Sequence, residues 1–122
     1  MKNSQCFKDL IVWQKSIDLS VKIYKITEKF NSDEKFGLIS QMRRCAVSIS
    51  SNIAEGSKRG TKKDFTQFLR IANGSAAELE TQLIIAQKIY PNISFEEALS
   101  LLLEIQKILN VLISKILNNS KN

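Results

Sequence analysis

The chain contains very few of the residues that interrupt an α-helix. Its 122 residues include one proline, Pro91, and only four glycines. Proline removes a backbone donor, and glycine weakens a helix by about 1 kcal/mol, so a chain with few of them can form long helices. Since 43% of the residues are hydrophobic and 25% are charged, the composition is that of an ordinary folded domain. The sequence therefore predicts a single all-α domain over residues 1–122.

Apolar residues recur at helical spacing in four long segments, which are separated by short polar breaks. This pattern predicts helices with approximate bounds 9–30, 33–55, 62–90 and 95–118. The predicted core stripe of the first helix is Leu10, Trp13, Ile17, Val21 and Tyr24, and that of the second is Leu38, Met42, Cys45, Ala46, Ile49 and Ile53. Helices joined by loops of a few residues pack beside one another in opposite directions. We therefore expect an antiparallel up-down-up-down four-helix bundle.

Two glycines and one threonine carry specific expectations for the second and third helices. Gly56 follows the apolar pattern of the second helix and is predicted to end it. Thr61, with Asp64 three residues later, resembles the capping box that begins a helix. The helical spacing of apolar residues continues unbroken through Gly74. We therefore expect Gly74 inside the third helix, where it would permit close packing.

Some apolar residues lie outside the predicted core stripes of the second and third helices. At 100° per residue they form a second face on each of these helices. The predicted interface residues are Phe36, Arg43, Val47, Ala54, Ile71, Ile85 and Ile89. Because a bundle helix needs only one apolar stripe for its own core, these second faces predict a homo-oligomer.

Positive charge is concentrated in one part of the chain. Residues 43–70 contain seven Lys or Arg against two acids, whereas residues 71–106 contain one Lys against five acids. A local positive field favours polyanions or acidic protein surfaces as partners, and the start of the third helix adds its own dipole. The candidate nucleic-acid contacts are Lys58, Arg59, Lys62, Lys63 and Arg70, with Arg43 as an additional candidate.

Three interpretations of this basic cluster remain open. It could bind the phosphates of structured RNA or DNA, dock an acidic partner protein, or simply form a solvated end of the bundle. Arg44 lies about 100° from Arg43 on the wheel, so the two arginines have different roles. We expect Arg44 to pair with Glu78 or Glu80 on a neighbouring helix.

The sequence offers no evident catalytic, metal or cofactor site. It has no histidine, and the spacing of Cys6 and Cys45 is not that of a metal site. The segment GSKRGTKK does not have the spacing of a nucleotide-binding P-loop. No apolar run is long enough for a signal peptide or a membrane span. We therefore expect a non-enzymatic cytoplasmic protein that binds no cofactor and no membrane.

Motifs in residues 7–90 resemble a known bacterial family. The Trp-Gln, Gln-x-Arg-Arg, Asn-Ile-Ala-Glu-Gly and Gly-Ser-x-x-Glu elements occur in the order found in the four-helix-bundle proteins that are encoded within intervening sequences of ribosomal RNA genes. The matching residues are Gln41, Arg43, Arg44, Asn52, Glu55, Gly56, Arg59, Gly74, Ser75 and Glu78. The chain is also similar, more distantly, to the accessory variability protein of diversity-generating retroelements.

The resemblance implies an assembly and a surface, but no catalytic residue. It implies a bundle that assembles into a ring, in related proteins a homopentamer, with a basic surface that contacts RNA. Five of the matching residues are expected to have structural polar roles: Gln41, Arg44, Asn52, Glu55 and Glu78.

Overall fold

The structure is a computed structural model that describes residues 6–120. Its long helices are α1 (Ile11–Thr27), α2 (Leu38–Lys58), α3 (Lys62–Ile89) and α4 (Glu96–Ser120), and short 3-10 helices at Phe7–Asp9 and Ser32–Glu34 precede α1 and α2. The described residues contain no β-strand. The predicted all-α fold class is therefore confirmed. None of the described helices combines the length and the apolar character needed to cross a bilayer.

Each long helix packs against two others. The contacting pairs are α1 with α2, α2 with α3, α3 with α4, and α4 with α1. Polar contacts cross all four of these seams. Lys15 Nζ lies 3.0 Å from Glu104 Oε2 between α1 and α4, and Asn73 donates to Asn110 at 2.9 Å between α3 and α4. The four helices thus form a helical bundle around one core.

The core stripe predicted for α2 is largely confirmed, since Met42, Ile49 and Ile53 have no exposed surface. Leu79 in α3 and Leu102 in α4 are equally buried. Burying side chains of this size stabilises the fold by about 1.5–3 kcal/mol each, so these residues dominate the energetics of the bundle.

The predicted core stripe of α1 is wrong beyond its first two residues, Leu10 and Trp13, which are partly buried against the core. The buried residues of α1 are Val12, Ser16, Leu19, Ile23 and Thr27, whereas Ile17, Val21 and Tyr24 are 37%, 48% and 43% exposed. Two polar residues occupy core positions because their hydroxyls are satisfied within the helix. Ser16 donates to the Val12 carbonyl and Thr27 to the Ile23 carbonyl, each at 2.7 Å. Helix α1 therefore carries a second apolar face toward solvent.

The second helix begins five residues later than predicted. Asn31 accepts a hydrogen bond from the Asp33 N–H at 3.0 Å and so starts a 3-10 turn instead of α2. Phe36 lies in the turn that follows, before α2 begins at Leu38. Phe36 is therefore not on the same helical face as Val47, contrary to what the spacing of about 100° per residue predicted. Its side chain is nevertheless 88% exposed.

Gly56 does not end α2, as the sequence suggested, but lies buried inside it. A Cβ built at Gly56 would lie 2.6 Å from Cβ of Phe68 and 3.2 Å from Cδ1 of Phe65, both on α3. The chain turns instead at Gly60, whose φ of 87° favours glycine. The absence of a side chain at Gly56 thus lets α2 and α3 approach closely.

Gly74 is within α3, as predicted, but its expected packing role is wrong for the single chain. The residue is exposed, and a Cβ built there would meet nothing within 4 Å. No described residue of the same chain therefore requires glycine at this position.

Replacing Gly56 with alanine is expected to destabilise the protein by about 1–3 kcal/mol, as measured by urea unfolding. The new methyl group would overlap Cβ of Phe68, which can move only together with the backbone of α3. Ser51→Ala, at an exposed position of the same helix, is the control and should be neutral. Equal stabilities of the two variants would contradict the close approach of α2 and α3 at Gly56.

Candidate functional site

Five cations lie around the connection from α2 to α3, and we call them the basic corner. They are Lys58, Arg59, Lys62, Lys63 and Arg70. Helix α2 ends at Lys58 and α3 begins at Lys62. Only three residues separate the two helices, so the turn at Gly60 holds cations from both helix ends close together.

The first turn of α3 is fixed by Thr61. Its Oγ1 accepts a hydrogen bond from the backbone N–H of Asp64 at 3.1 Å, which is half of the predicted capping box. The remaining N–H groups of this first turn have no partner within the helix and add partial positive charge to the corner. Asp64 offsets part of that charge, since it lies in the same turn.

Arg59 is held by two contacts that leave it half exposed. Its Nη2 donates to Glu55 Oε2 at 2.9 Å, and the guanidinium carbon lies 4.9 Å from the centre of the Phe68 ring. The two side chains of the ion pair are 49% and 52% exposed. An ion pair this exposed contributes little to stability, about 0–1 kcal/mol. Arg59 is thus oriented by Glu55 and Phe68 while remaining accessible to an anion.

The other four cations of the basic corner are exposed. Among the described residues, none of the four forms an ion pair with a carboxylate. Lys62, Lys63 and Arg70 line a groove of about 580 Å³. Lys63 and Arg70 are seven residues apart and so share one face of α3, and both line this groove.

The groove has two walls. Thr66 and Gln67 of α3 lie beside the three cations, and Leu117 near the end of α4 forms the other wall. The hydroxyl of Thr66 is buried and has no hydrogen-bond partner. The groove is therefore a positively charged cleft between the start of α3 and the end of α4. The sequence-based prediction missed the contribution of α4, because α4 is distant from these cations in the chain.

Arg43 lies far from the basic corner and is held by α1. Its Nε donates to Thr27 Oγ1 at 2.9 Å, its Nη2 donates to the Tyr24 carbonyl at 3.3 Å, and its guanidinium carbon lies 4.4 Å from the centre of the Tyr24 ring. At 1.5 Å per residue, Arg43 is about 22 Å from Lys58 along the axis of α2. The structure thus gives Arg43 a role in joining the end of α1 to α2.

The expected ion pair between Arg44 and Glu78 or Glu80 is not formed. Arg44 donates instead to Gln41, one turn earlier on the same helix, and Glu80 accepts from Gln106 at 3.1 Å. Residues at spacing i,i+3 on a helix are neighbours, so Gln41 is reached without bridging two helices.

A polar network joins α2 to α3 at the middle of their seam. Ser48 and Ser75 share a hydrogen bond of 2.9 Å between their hydroxyls. Asn52 donates to the Ser48 carbonyl at 2.8 Å and to the Ser48 hydroxyl at 3.0 Å. Asn52 therefore supports, from the same helix, the Ser48 hydroxyl that reaches α3. The link from Ser48 to Ser75 was missed, and its one sequence signal was the Gly-Ser-x-x-Glu element.

The buried thiol of Cys45 is not prepared for nucleophilic chemistry. Burial raises the pKa of Cys45, the charge of Glu78 raises it further, and a hydrogen bond from Gln82 Nε2 at 3.5 Å acts in the opposite direction. The thiol therefore stays protonated near neutral pH. Within residues 6–120 no three side chains of the metal-binding types come together.

The predicted interface residues differ in exposure. Val47, Ile71, Ile85 and Ile89 are 42–49% exposed, and Ala54 is half-buried.

Comparison with known proteins assigns the fold and the family. The sequence profile of the 23S rRNA-intervening sequence protein family matches residues 8–114. The chain belongs to this family. Among solved structures, it is similar to a protein of unknown function from the S23 ribosomal protein family of Bacteroides thetaiotaomicron VPI-5482, with 28% sequence identity and a TM-score of 0.74. That match covers 84% of this chain and 98% of the other.

The family assignment agrees with the resemblance that the sequence motifs showed. No curated protein matches the chain. The similarity to the solved structure spans nearly the whole of that protein, so this intervening-sequence protein and its solved relative share one bundle fold.

Removing the cap of α3 is expected to loosen the basic corner. Thr61→Ala should destabilise the intervening-sequence protein by about 1 kcal/mol in urea unfolding and speed amide exchange at Lys62 and Lys63, because the first turn loses its side-chain acceptor. Thr81→Ala is the control, since Thr81 donates to the Ala77 carbonyl within the same helix and caps no helix end. If both variants lose the same stability, Thr61 does not anchor the corner.

Proposed function

We propose that this intervening-sequence protein is a non-enzymatic homo-oligomer that binds structured RNA or DNA through phosphate contacts from the basic corner. The observation that carries the proposal is the set of four exposed cations without an ion pair among the described residues. Cations that a fold does not neutralise internally are available to neutralise an external polyanion. The family name, which refers to 23S rRNA, agrees with this class of ligand.

The proposed binding reads the nucleic-acid backbone and not the bases. Phe65 and Phe68 are the aromatic residues nearest the basic corner in sequence, and both are partly buried. Phe68 is also covered by Arg59. Proteins that bind single strands usually stack bases on exposed aromatic rings, and the described part of the basic corner offers none. We therefore favour structured RNA or duplex DNA, whose phosphates are regularly spaced.

Oligomerisation would strengthen such binding. We propose that the helices run up-down-up-down and that the bundles assemble into a ring, with the exposed apolar residues of α1, α2 and α3 between copies. The order of the helix contacts and the exposure of Val47, Ile71 and Ile85 support this arrangement. A symmetric ring repeats the basic corner once per copy, so weak phosphate contacts act together.

The proposal is tested by the salt dependence of binding to a structured RNA and to duplex DNA. Replacing Lys58, Lys62 and Lys63 together by alanine should lower the affinity at low salt at least tenfold, or about 1.4 kcal/mol. The slope of log affinity against log salt should become shallower by about 0.9 for each lost contact with duplex phosphates. Fluorescence anisotropy measures both quantities.

A triple variant of Lys25, Lys29 and Lys35 is the matched control. It removes the same charge from exposed residues of α1 and of the connection to α2, so the wild-type affinity and slope should remain. If both triple variants lose affinity equally, net charge and not the basic corner determines binding. If wild type binds neither nucleic acid at low salt, the proposal fails.

The same cations could dock an acidic protein, and one experiment separates the two ligand classes. Pull-down from native lysate with the tagged protein, with and without nuclease, should recover nucleic acid that disappears after nuclease treatment. Recovery of one acidic protein that resists nuclease and is lost with the Lys58, Lys62 and Lys63 variant would instead support a protein-interaction scaffold.

A further inference from the structure

The groove at the start of α3 contains a hydroxyl group that the fold leaves without a partner. Thr66 lines this groove and is only 7% exposed, and its Oγ1 has no hydrogen-bond partner among the described residues. The hydroxyls of Ser16, Thr27 and Thr81 each donate to the carbonyl four residues earlier, at 2.7–3.0 Å. Thr66 does not donate to the Lys62 carbonyl in this way. A buried hydroxyl without a partner destabilises a fold, so Thr66 requires an explanation.

The polar residues beside Thr66 form one stripe along the first two turns of α3. Successive members are three or four residues apart and therefore share a face of the helix. The stripe consists of Lys62, Lys63, Thr66, Gln67 and Arg70. It is about 12 Å long, at 1.5 Å per residue. None of the described residues that line the groove is acidic. The stripe thus holds three positive charges that no carboxylate of the groove offsets.

The opposite wall of the groove is apolar. Leu117 of α4 forms this wall, and its side chain is 39% exposed. The groove volume of about 580 Å³ lies in the range of sites that hold one small molecule, about 300–1,000 Å³. A cationic stripe that faces an apolar side chain suits a ligand with an anionic end and a less polar body.

We propose that the groove binds a phosphate monoester that carries a nucleoside, either the terminal phosphate of an RNA strand or a free mononucleotide. A phosphate monoester bears a charge of about −1.5 to −2 at neutral pH and has three terminal oxygens. An internal phosphate of a strand bears a single negative charge. Three cations match the monoester better. This inference rests on the phosphate contacts of the proposed function and specifies the group that they bind most tightly.

Each lining residue has a distinct role in the proposed site. Arg70 binds two phosphate oxygens through its guanidinium, and Lys62 and Lys63 supply the remaining positive charge. The hydroxyl of Thr66 is shielded from solvent, so it reaches a phosphate oxygen by rotation about the Cα–Cβ bond, which exchanges staggered positions of the hydroxyl and the methyl group. Leu117 packs against the nucleoside. The ligand thus provides the hydrogen-bond partner that Thr66 lacks in the free protein.

Two versions of one RNA hairpin test the site. They have the same sequence and differ only in a phosphate or a hydroxyl at the 5′ end, with a fluorophore at the other end. Wild type should bind the phosphorylated hairpin about tenfold more tightly at low salt, as measured by anisotropy. Thr66→Val should remove this preference. Thr81→Val makes the same change at an exposed position of α3 outside the groove and should retain the preference.

A second substitution separates the hydroxyl from the packing of Thr66. Thr66→Ser keeps the hydroxyl and should keep the preference for the phosphorylated hairpin. Thr66→Val should be at least as stable as wild type in urea, because it replaces an unpartnered hydroxyl with a methyl group of similar shape. If Thr66→Val retains the preference, or if folded Thr66→Ser loses it, the hydroxyl is not the donor and the proposed site is wrong. A less stable Thr66→Val would contradict the premise that the hydroxyl has no partner.

The apolar wall provides an independent test. Leu117→Glu places a carboxylate in the groove and should abolish the preference for the phosphorylated hairpin. Leu103→Glu adds the same charge at an exposed position of α4 outside the groove and should retain it. Equal losses in the two variants would mean that net charge, and not the groove, selects the terminal phosphate.

Competition experiments distinguish the two sources of the ligand. Adenosine monophosphate should displace the phosphorylated hairpin from the groove, whereas adenosine and inorganic phosphate should each compete at least tenfold less well. If wild type binds adenosine monophosphate but binds the two hairpins equally, the ligand is a free mononucleotide and not a strand end. Equal hairpin affinities without nucleotide binding overturn this inference but leave the proposed function standing. If neither hairpin binds at low salt, the proposed function fails, and nucleotide binding alone decides whether the groove is a phosphate site.

Discussion

The close approach of α2 to α3 at Gly56 is the constraint on which the rest of the structure depends. Because Gly56 has no side chain, Phe68 and Phe65 pack directly against the backbone of α2. The two helices can then be joined by only three residues, Arg59–Thr61. This short connection sets the end of α2 and the start of α3 side by side. The cations of the basic corner are thus brought together by packing, although they repel one another.

The same seam separates structural polar residues from available ones. Ser48, Asn52 and Ser75 satisfy one another across α2 and α3, and Arg44 is bound by Gln41. Lys58, Lys62 and Lys63 have no such partner within the described residues. The difference explains why adjacent positive charges in one sequence stretch have different roles. Arg43 joins α2 to α1 and Arg44 bonds within α2, whereas the cations at the end of the seam face outward.

Periodicity predicted much of the fold but failed where two faces of one helix were apolar. In α2 the buried row is much more apolar than the side that carries Val47, so the buried side was found correctly. In α1 both Leu19 and Val21 belong to apolar rows, and the row with Ser16 and Thr27 is the buried one. The hydrogen bonds that make Ser16 and Thr27 compatible with burial form inside the helix. Residue polarity alone does not reveal these internal hydrogen bonds.

In the candidate site, the loop cations and the cap at Thr61 could be predicted from the sequence, because the residues involved lie within a few positions of one another. Other contacts depend on how the helices pack, which residue spacing does not specify. These are the contribution of Leu117, the hydrogen bonds from Arg43 to α1 and the link from Ser48 to Ser75. The central claim is that phosphates contact the basic corner. Hydrogen exchange of the wild-type protein, with and without a structured RNA, tests it most directly. We predict slower exchange in residues 58–70 and no change in residues 25–35, and slower exchange confined to residues outside 58–70 would contradict the account.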